Sequence, residues 1–227
     1  MTLKNNIEQT IIPDYSRKQE MFNSISHMLG LVVAVLIGIF GICSYSVSAI
    51  NTSLLIGDII FAASAFAVYL VSSIYHITLS DSPHKKKLRI LDHCMIYVLI
   101  AGTYTPVCVN LMYYARSFGI GLFMLIFEWV GAIIGVVLNA FFFQSKVARG
   151  ISFTFYILMG WLAVICGGFL FINLNSFLFI LAGGIVYTIG SVLYAIGHKN
   201  RWFHFVFHIC VLLGTIIQAF GVLIYHY

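Results

Sequence analysis

Seven stretches of mostly apolar residues, each long enough to cross a bilayer, constrain this chain more than any other feature. They fall at roughly 28–50, 54–79, 90–113, 118–143, 150–172, 176–197 and 203–226. A helix needs about 20 such residues to cross the hydrocarbon core. The breaks between them are short and polar: Asn51 to Ser53, Ser80 to Arg89, Tyr114 to Ser117, Gln144 to Arg149, Asn173 to Asn175 and His198 to Arg201. Lipid offers no partner to a backbone N–H or C=O, so the spans are helices; a barrel would need alternating rather than continuous apolarity. Composition agrees, because 8% charged residues cannot cover a water-exposed surface for 227 residues, where a soluble domain averages about 25%. The mean hydropathy is +1.01. The expected fold is an all-α membrane protein, a seven-transmembrane helix bundle over 28–226 preceded by a polar segment over 1–27.

Lys and Arg set the orientation. Lys4, Arg17, Lys18, Lys85, Lys86, Lys87, Arg89, Lys146, Arg149, Lys199 and Arg201 gather on one side of the seven spans, and only Arg116 falls on the other. The basic side is expected to be cytoplasmic, which puts the N-terminus in the cytoplasm, the C-terminus outside, and the protein in the cell membrane as a multi-pass chain. The net charge of +5 therefore reflects topology rather than nucleic-acid binding, and membrane lipids are the expected partners. The first two dozen residues are polar and lack the short apolar core of a cleavable signal peptide. Five scattered cysteines (Cys43, Cys94, Cys108, Cys166 and Cys210) form no C-x-x-C pair and read as small buried hydrophobes, with no disulfide framework and no thiolate metal site. Glycines at 131, 135, 183, 184 and 190 are expected to let helices approach closely. The oligomeric state is not readable.

Ionisable residues inside spans are costly and point to function. At about 1.5 Å per helical residue, His76 lies roughly 6 Å inside the cytoplasmic edge and Ser72 one turn deeper. Asp92 falls in the first turn of span three. His204 and His208 lie about 2 and 8 Å into span seven, and their i, i+4 spacing points both rings from one face. An isolated H-x-x-x-H is a weak signal, but His76 and Asp92 reach the same layer from other helices. Three imidazoles can hold Zn²⁺ and leave a fourth position for water. His84, His93 and His198 are expected to be solvated at the cytoplasmic loops, with His226 at the outer end. Glu128 falls near mid-bilayer and Asp58 nearer the outer end of span two; each reads equally as part of a polar pathway or as a structural acid.

Four motifs carry a family resemblance. Glu20-Met-Phe-Asn23-Ser-Ile-Ser26-His27, Ser72-Ser-Ile-Tyr-His76, Leu91-Asp92-His93 running on to Ala101-Gly-Thr-Tyr-Thr-Pro106, and His204-Phe-Val-Phe-His208 resemble, in order, those of the bacterial hemolysin III family. That family is a branch of the progestin and adipoQ receptor superfamily, which is similar to the alkaline ceramidases. The resemblance implies a seven-helix bundle with Zn²⁺ held by His76, His204 and His208. It further implies that Asp92 contacts the zinc-bound water and that Ser72 is a neighbouring polar group, with Glu20, Asn23 and His27 as further motif residues.

Three functions stand open at this point. The first is a zinc-dependent hydrolase acting on a lipid amide or ester within the membrane and serving lipid homeostasis, with Asp92 as general base and Ser72 orienting water or donating to the oxyanion. The second is a pore-forming, cytolytic protein, as the family name records. The third is a receptor or regulator in which zinc is structural.

Overall fold

The computed structural model describes residues 2–48, 51–115, 117–197 and 200–223. The expectations placed on Arg116, His198, Lys199 and His226 lie outside these residues. The described residues fold as helices and turns: α1 (Leu3–Gln9), α2 (Arg17–Ser48), α3 (Thr52–Ile77), α4 (Lys85–Tyr113), α5 (Phe118–Phe142), α6 (Lys146–Gly160), α7 (Leu162–Ile165), a 3₁₀ turn at Gly168–Leu170, α8 (Leu174–Ala195) and α9 (Trp202–Leu223). Six of them, α2, α3, α4, α5, α8 and α9, are long and apolar enough to cross a membrane. Side chains such as Val32, Leu36, Ile133 and Leu178 face outward, as a lipid-facing wall requires.

Consecutive helices pack side by side from α2 to α5, α8 pairs with α9, and α2 closes on α9. The core between them is built around Phe61, Val68, Tyr69, Leu111, Met124 and Val222. Glycine lets several of these contacts close up. A Cβ on Gly135 would stand 2.3 Å from the Tyr97 ring, and one on Gly183 2.4 Å from Gln218. Gly131 and Gly190 also sit against neighbours, whereas Gly184 has only a backbone oxygen at 3.9 Å. The five cysteines are all free. Cys43 is exposed rather than buried, because its helix turns it to the outer wall.

Two helices start well before the apolar runs do. α2 begins at Arg17 and α4 at Lys85, so the polar residues Glu20, Asn23 and His27 sit on a helix and not in a flanking segment, and Asp92 lies about two turns into its helix and not in the first. The fifth apolar run, expected to be one helix, is broken. α6 stops at Gly160, and the chain passes through Trp161, α7 and a left-handed Gly167 (φ 71°). The cause is a side chain inserted into the hydrogen-bond ladder. Tyr104 Oη donates to Gly160 O at 2.7 Å and accepts from Ala163 N–H at 3.4 Å. Neither polar group is left bare in an apolar setting.

α1 and the extended segment after it cross the basic end of the bundle. Asn6 Nδ2 donates to Asn139 O and Ala140 O at 3.1 and 2.7 Å, satisfying carbonyls that the end of α5 leaves open. Lys86 Nζ donates to Glu8 O at 2.7 Å. Arg201 Nη1 pairs with Asp14 Oδ2 at 3.0 Å and also meets Asp14 O. The segment is therefore tied to α4, α5 and the start of α9.

Candidate metal centre

The last turn of α3 and the first two turns of α9 bring three imidazoles together. His204 Nε2 lies 3.2 Å from His76 Nε2 and 3.1 Å from His208 Nε2. Each of the three rings is buried, and one ring nitrogen from each falls within 4.8 Å of the others. On α9 the i, i+4 spacing puts His204 and His208 on one face, and that face meets α2 and the end of α3.

The outer hydrogen bonds decide which ring nitrogens carry protons. His76 Nδ1 donates to the carboxylate of Glu20, and His208 Nδ1 donates to Asn23 O at 3.3 Å. In a neutral ring the other nitrogen then presents a lone pair. Two lone pairs thus point at His204 Nε2, which has at most one proton to give. At least one N···N contact is lone pair against lone pair unless a cation lies between them. Zinc–nitrogen bonds of 2.0–2.1 Å at tetrahedral angles would set the nitrogens about 3.3–3.4 Å apart, close to the two contacts made by His204 Nε2. The donor set therefore fits a metal ion. Three neutral nitrogens and no thiolate suit zinc in an open site.

A buried lysine completes the support. Lys85 is 0% exposed, and its ammonium donates to Glu20 Oε1 at 2.8 Å, Tyr75 O at 2.7 Å and Thr78 O at 2.8 Å. All three protons are used, and two go to carbonyls at the C-terminal end of α3. Glu20 is thereby held between the lysine and His76. Metal-binding histidines usually have such a partner on their second nitrogen, which fixes tautomer and ring orientation. By sequence Lys85 belonged with Lys86 and Lys87 as a loop cation. Its position just past the end of α3, where unsatisfied carbonyls gather, was the one signal that could have set it apart.

The other expected residues take up different distances. Ser72 is buried one turn below His76, with its hydroxyl directed at the Asp92 carboxylate. Asp92 is buried on α4 outside the cluster of converging ligand atoms, and its side chain faces the cavities beside it. His27 stacks on His208 with ring centroids 3.8 Å apart, and both of its nitrogens are buried without a partner. His93, expected to be solvated, is half-buried: its Nε2 meets Tyr194 Oη at 2.7 Å and its Nδ1 meets Arg89 O at 2.9 Å. The early start of α4 turns it into the bundle. His84 is exposed, as expected. Tyr15, ahead of α2, stacks on His204 at 5.2 Å and covers the cluster from the basic end. Burial pushes its phenol above its ordinary value, so it stays neutral. Glu128 is 0% exposed with no partner for either oxygen and lines none of the cavities near the histidines. Asp58 is buried on α3 beside Gly41.

Each histidine faces a different cavity. His208, with His27, Ser72 and Asp92, lines a mainly apolar cavity of about 70 Å³ that runs down to Gln218, ten residues or about 15 Å further along α9. Its flank holds Gly160, Trp161 and Gly184, where α6 touches α8 sparsely and Trp161 Nε1 donates to Thr188 Oγ1 at 3.0 Å. His204 lines a second cavity of about 130 Å³ that shares Asp92 with the first. His76 lines a more open cleft of about 410 Å³ between α2 and the end of α3, beneath Tyr15.

Comparison with known proteins agrees with the motifs. Residues 15–219 match the family described as Haemolysin-III related. Hemolysin-3 of Bacillus cereus is 33% identical over 210 residues, 92% of either chain. The Hemolysin-3 homolog of Bacillus subtilis (strain 168) is 31% identical over 213 residues, 93% of this chain and 96% of that one. A match over nearly the whole chain, whose range takes in the helices that bear the histidines, makes this multi-pass membrane protein a member of the haemolysin III family.

Proposed function

We propose that this protein is a zinc-dependent hydrolase that cleaves a lipid amide or ester within the membrane, near its cytoplasmic face. The observation that carries the reading is the meeting of three imidazole nitrogens with a buried serine hydroxyl, a buried carboxylate beside it and an apolar cavity. Zinc bound by His76, His204 and His208 supplies a Lewis acid that acidifies water and polarises a carbonyl. The apolar cavity between Asp92 and Gln218 takes the acyl chain and keeps bulk water away from the acyl carbon. Asp92, at the wall of that cavity, accepts the proton of the attacking water and returns it to the leaving nitrogen or oxygen. Ser72 Oγ, beside Asp92, orients the attacking water or donates to the oxygen on which charge develops. Glu20 and Lys85 hold His76 in the tautomer that presents Nε2.

The names of the relatives support a second reading, a membrane-lytic protein. A pore would need a polar path through the bundle, and the core around Phe61, Leu111 and Met124 argues for the first. A third reading, a non-enzymatic lipid receptor with structural zinc, shares the same cluster and is separated by turnover alone.

Purified protein is expected to hold one zinc per chain by elemental analysis, and to lose it in the His204→Ala/His208→Ala variant. Asp92→Asn is expected to keep zinc and lose fatty acid release from a panel of lipid amides and esters by at least about a hundredfold, the usual weight of a general base. Unchanged release in Asp92→Asn would overturn the mechanism, and lysis that persists without any release would favour the second reading. Lys85→Met is expected to weaken zinc binding about 10- to 100-fold in competition with a chromophoric chelator, with partial recovery in Lys85→Arg; equal affinity would remove Lys85 and Glu20 from the site. The basic end is assigned to the cytoplasm. A cysteine-reactive, membrane-impermeant label is expected to miss Ser80→Cys in intact cells and reach it once the membrane is broken. Labelling in intact cells would reverse the orientation.

A further inference from the structure

We propose that the second cavity binds the anionic head of an acyl amphiphile, a carboxylate or phosphate held by Arg89 and Arg149. Both arginines line this cavity, with Asn139, Ser152, Tyr156 and Tyr194 as neutral polar neighbours. Arg89 is half-buried and lies against the Phe143 ring at 5.4 Å. Arg149 stands exposed at the mouth. Among the described residues neither is ion-paired: the lysine and arginine ion pairs join Lys4 to Glu8, Lys85 to Glu20 and Arg201 to Asp14. Asp92 is the one acid in the lining, so two fixed cations face one carboxylate and the cavity keeps a net positive charge. Guanidinium groups are suited to gripping a carboxylate or phosphate through two oxygens at once.

Continuity with the apolar cavity makes the occupant an amphiphile rather than a small ion. The two cavities share Asp92, Ile96, Tyr156, Ser191 and Phe207. One molecule can therefore place its chain along the apolar cavity and its head against the arginines, with the bond between them passing Asp92. Arg89 precedes Asp92 by three residues, about 4.5 Å along α4, so the anion lies a few bonds from the acyl carbon on the leaving-group side. The site deepens the hydrolase reading by naming its substrate class, an acyl chain joined by an amide or ester to an anion-bearing head. Water adds to the acyl carbon, the C–N or C–O bond breaks, the acyl chain leaves as a carboxylic acid, and the anion-bearing amine or alcohol takes the proton.

Binding tests the proposal without requiring turnover. Zinc-loaded full-length protein in a neutral detergent would be titrated with N-dodecanoylglycine and with neutral N-dodecanoylglycinamide, with affinity read from quenching of tryptophan fluorescence. The anionic probe is expected to bind at least about tenfold more tightly, the weight of one charge-assisted hydrogen bond. That ratio is expected to fall to near one in Arg89→Gln/Arg149→Gln and to recover in part in Arg89→Lys/Arg149→Lys, all with zinc content retained. Equal affinities in the parent protein, or a preference that survives the glutamine variant, would overturn the proposal. Inorganic phosphate that binds as tightly as N-dodecanoylglycine would also overturn it, since the site would then read the anion alone. Fatty acid release followed in the same samples keeps the two readings apart: preference without release sinks the hydrolase alone, and release without preference sinks this site alone.

Discussion

Two imidazole lone pairs aimed at a third ring nitrogen, inside a bundle of lipid-facing helices, form the contact to which the rest of this end of the molecule answers. Such an arrangement is unfavourable on its own and stable with a cation at its centre. Its supports are drawn from four places in the chain. Glu20 and Asn23 come from α2, Tyr75 O and Thr78 O from the end of α3, Lys85 from the start of α4, and Tyr15 from the segment that crosses the end. A buried lysine is expensive unless every proton is used, and here all three are. The network also explains why α2 and α4 begin so far ahead of their apolar runs. Helical backbone is needed there to carry polar side chains inward.

From that cluster the molecule opens in three directions. An apolar cavity follows α9 into the bundle, a second one lined in part by two arginines opens at the basic end, and a cleft beneath Tyr15 reaches His76. Asp92 sits on the wall between the first two. This division suits a reaction that must keep an acyl chain, a polar head and a water molecule apart until they meet at one carbon. The break between α6 and α7 borders the apolar cavity at Gly160 and Trp161, and Tyr104 holds the loose backbone there.

Much of this was legible in the sequence, for physical reasons. Continuous apolarity over about 20 residues has few other meanings, and six of the expected spans appear as long helices. The spacing within His204-Phe-Val-Phe-His208 dictates a shared face, and depth brought His76 to the same layer. Three features were hidden. Lys85 looked like its neighbours Lys86 and Lys87, because sequence does not say which of three adjacent lysines faces the end of another helix. His93 looked solvated because the helix start was placed at the first apolar residue, five positions late. The break at Trp161 depends on a phenol from α4, and a hydropathy pattern carries no trace of a side chain arriving from elsewhere in the chain.

Zinc-edge X-ray absorption on the purified protein addresses the central claim most directly, because it reads the atoms around the metal and not its consequences. The account predicts three imidazole nitrogens at about 2.0–2.1 Å and one lighter oxygen ligand, falling to fewer imidazoles in His76→Ala. A shell containing sulfur at about 2.3 Å, or an unchanged spectrum in His76→Ala, would contradict it.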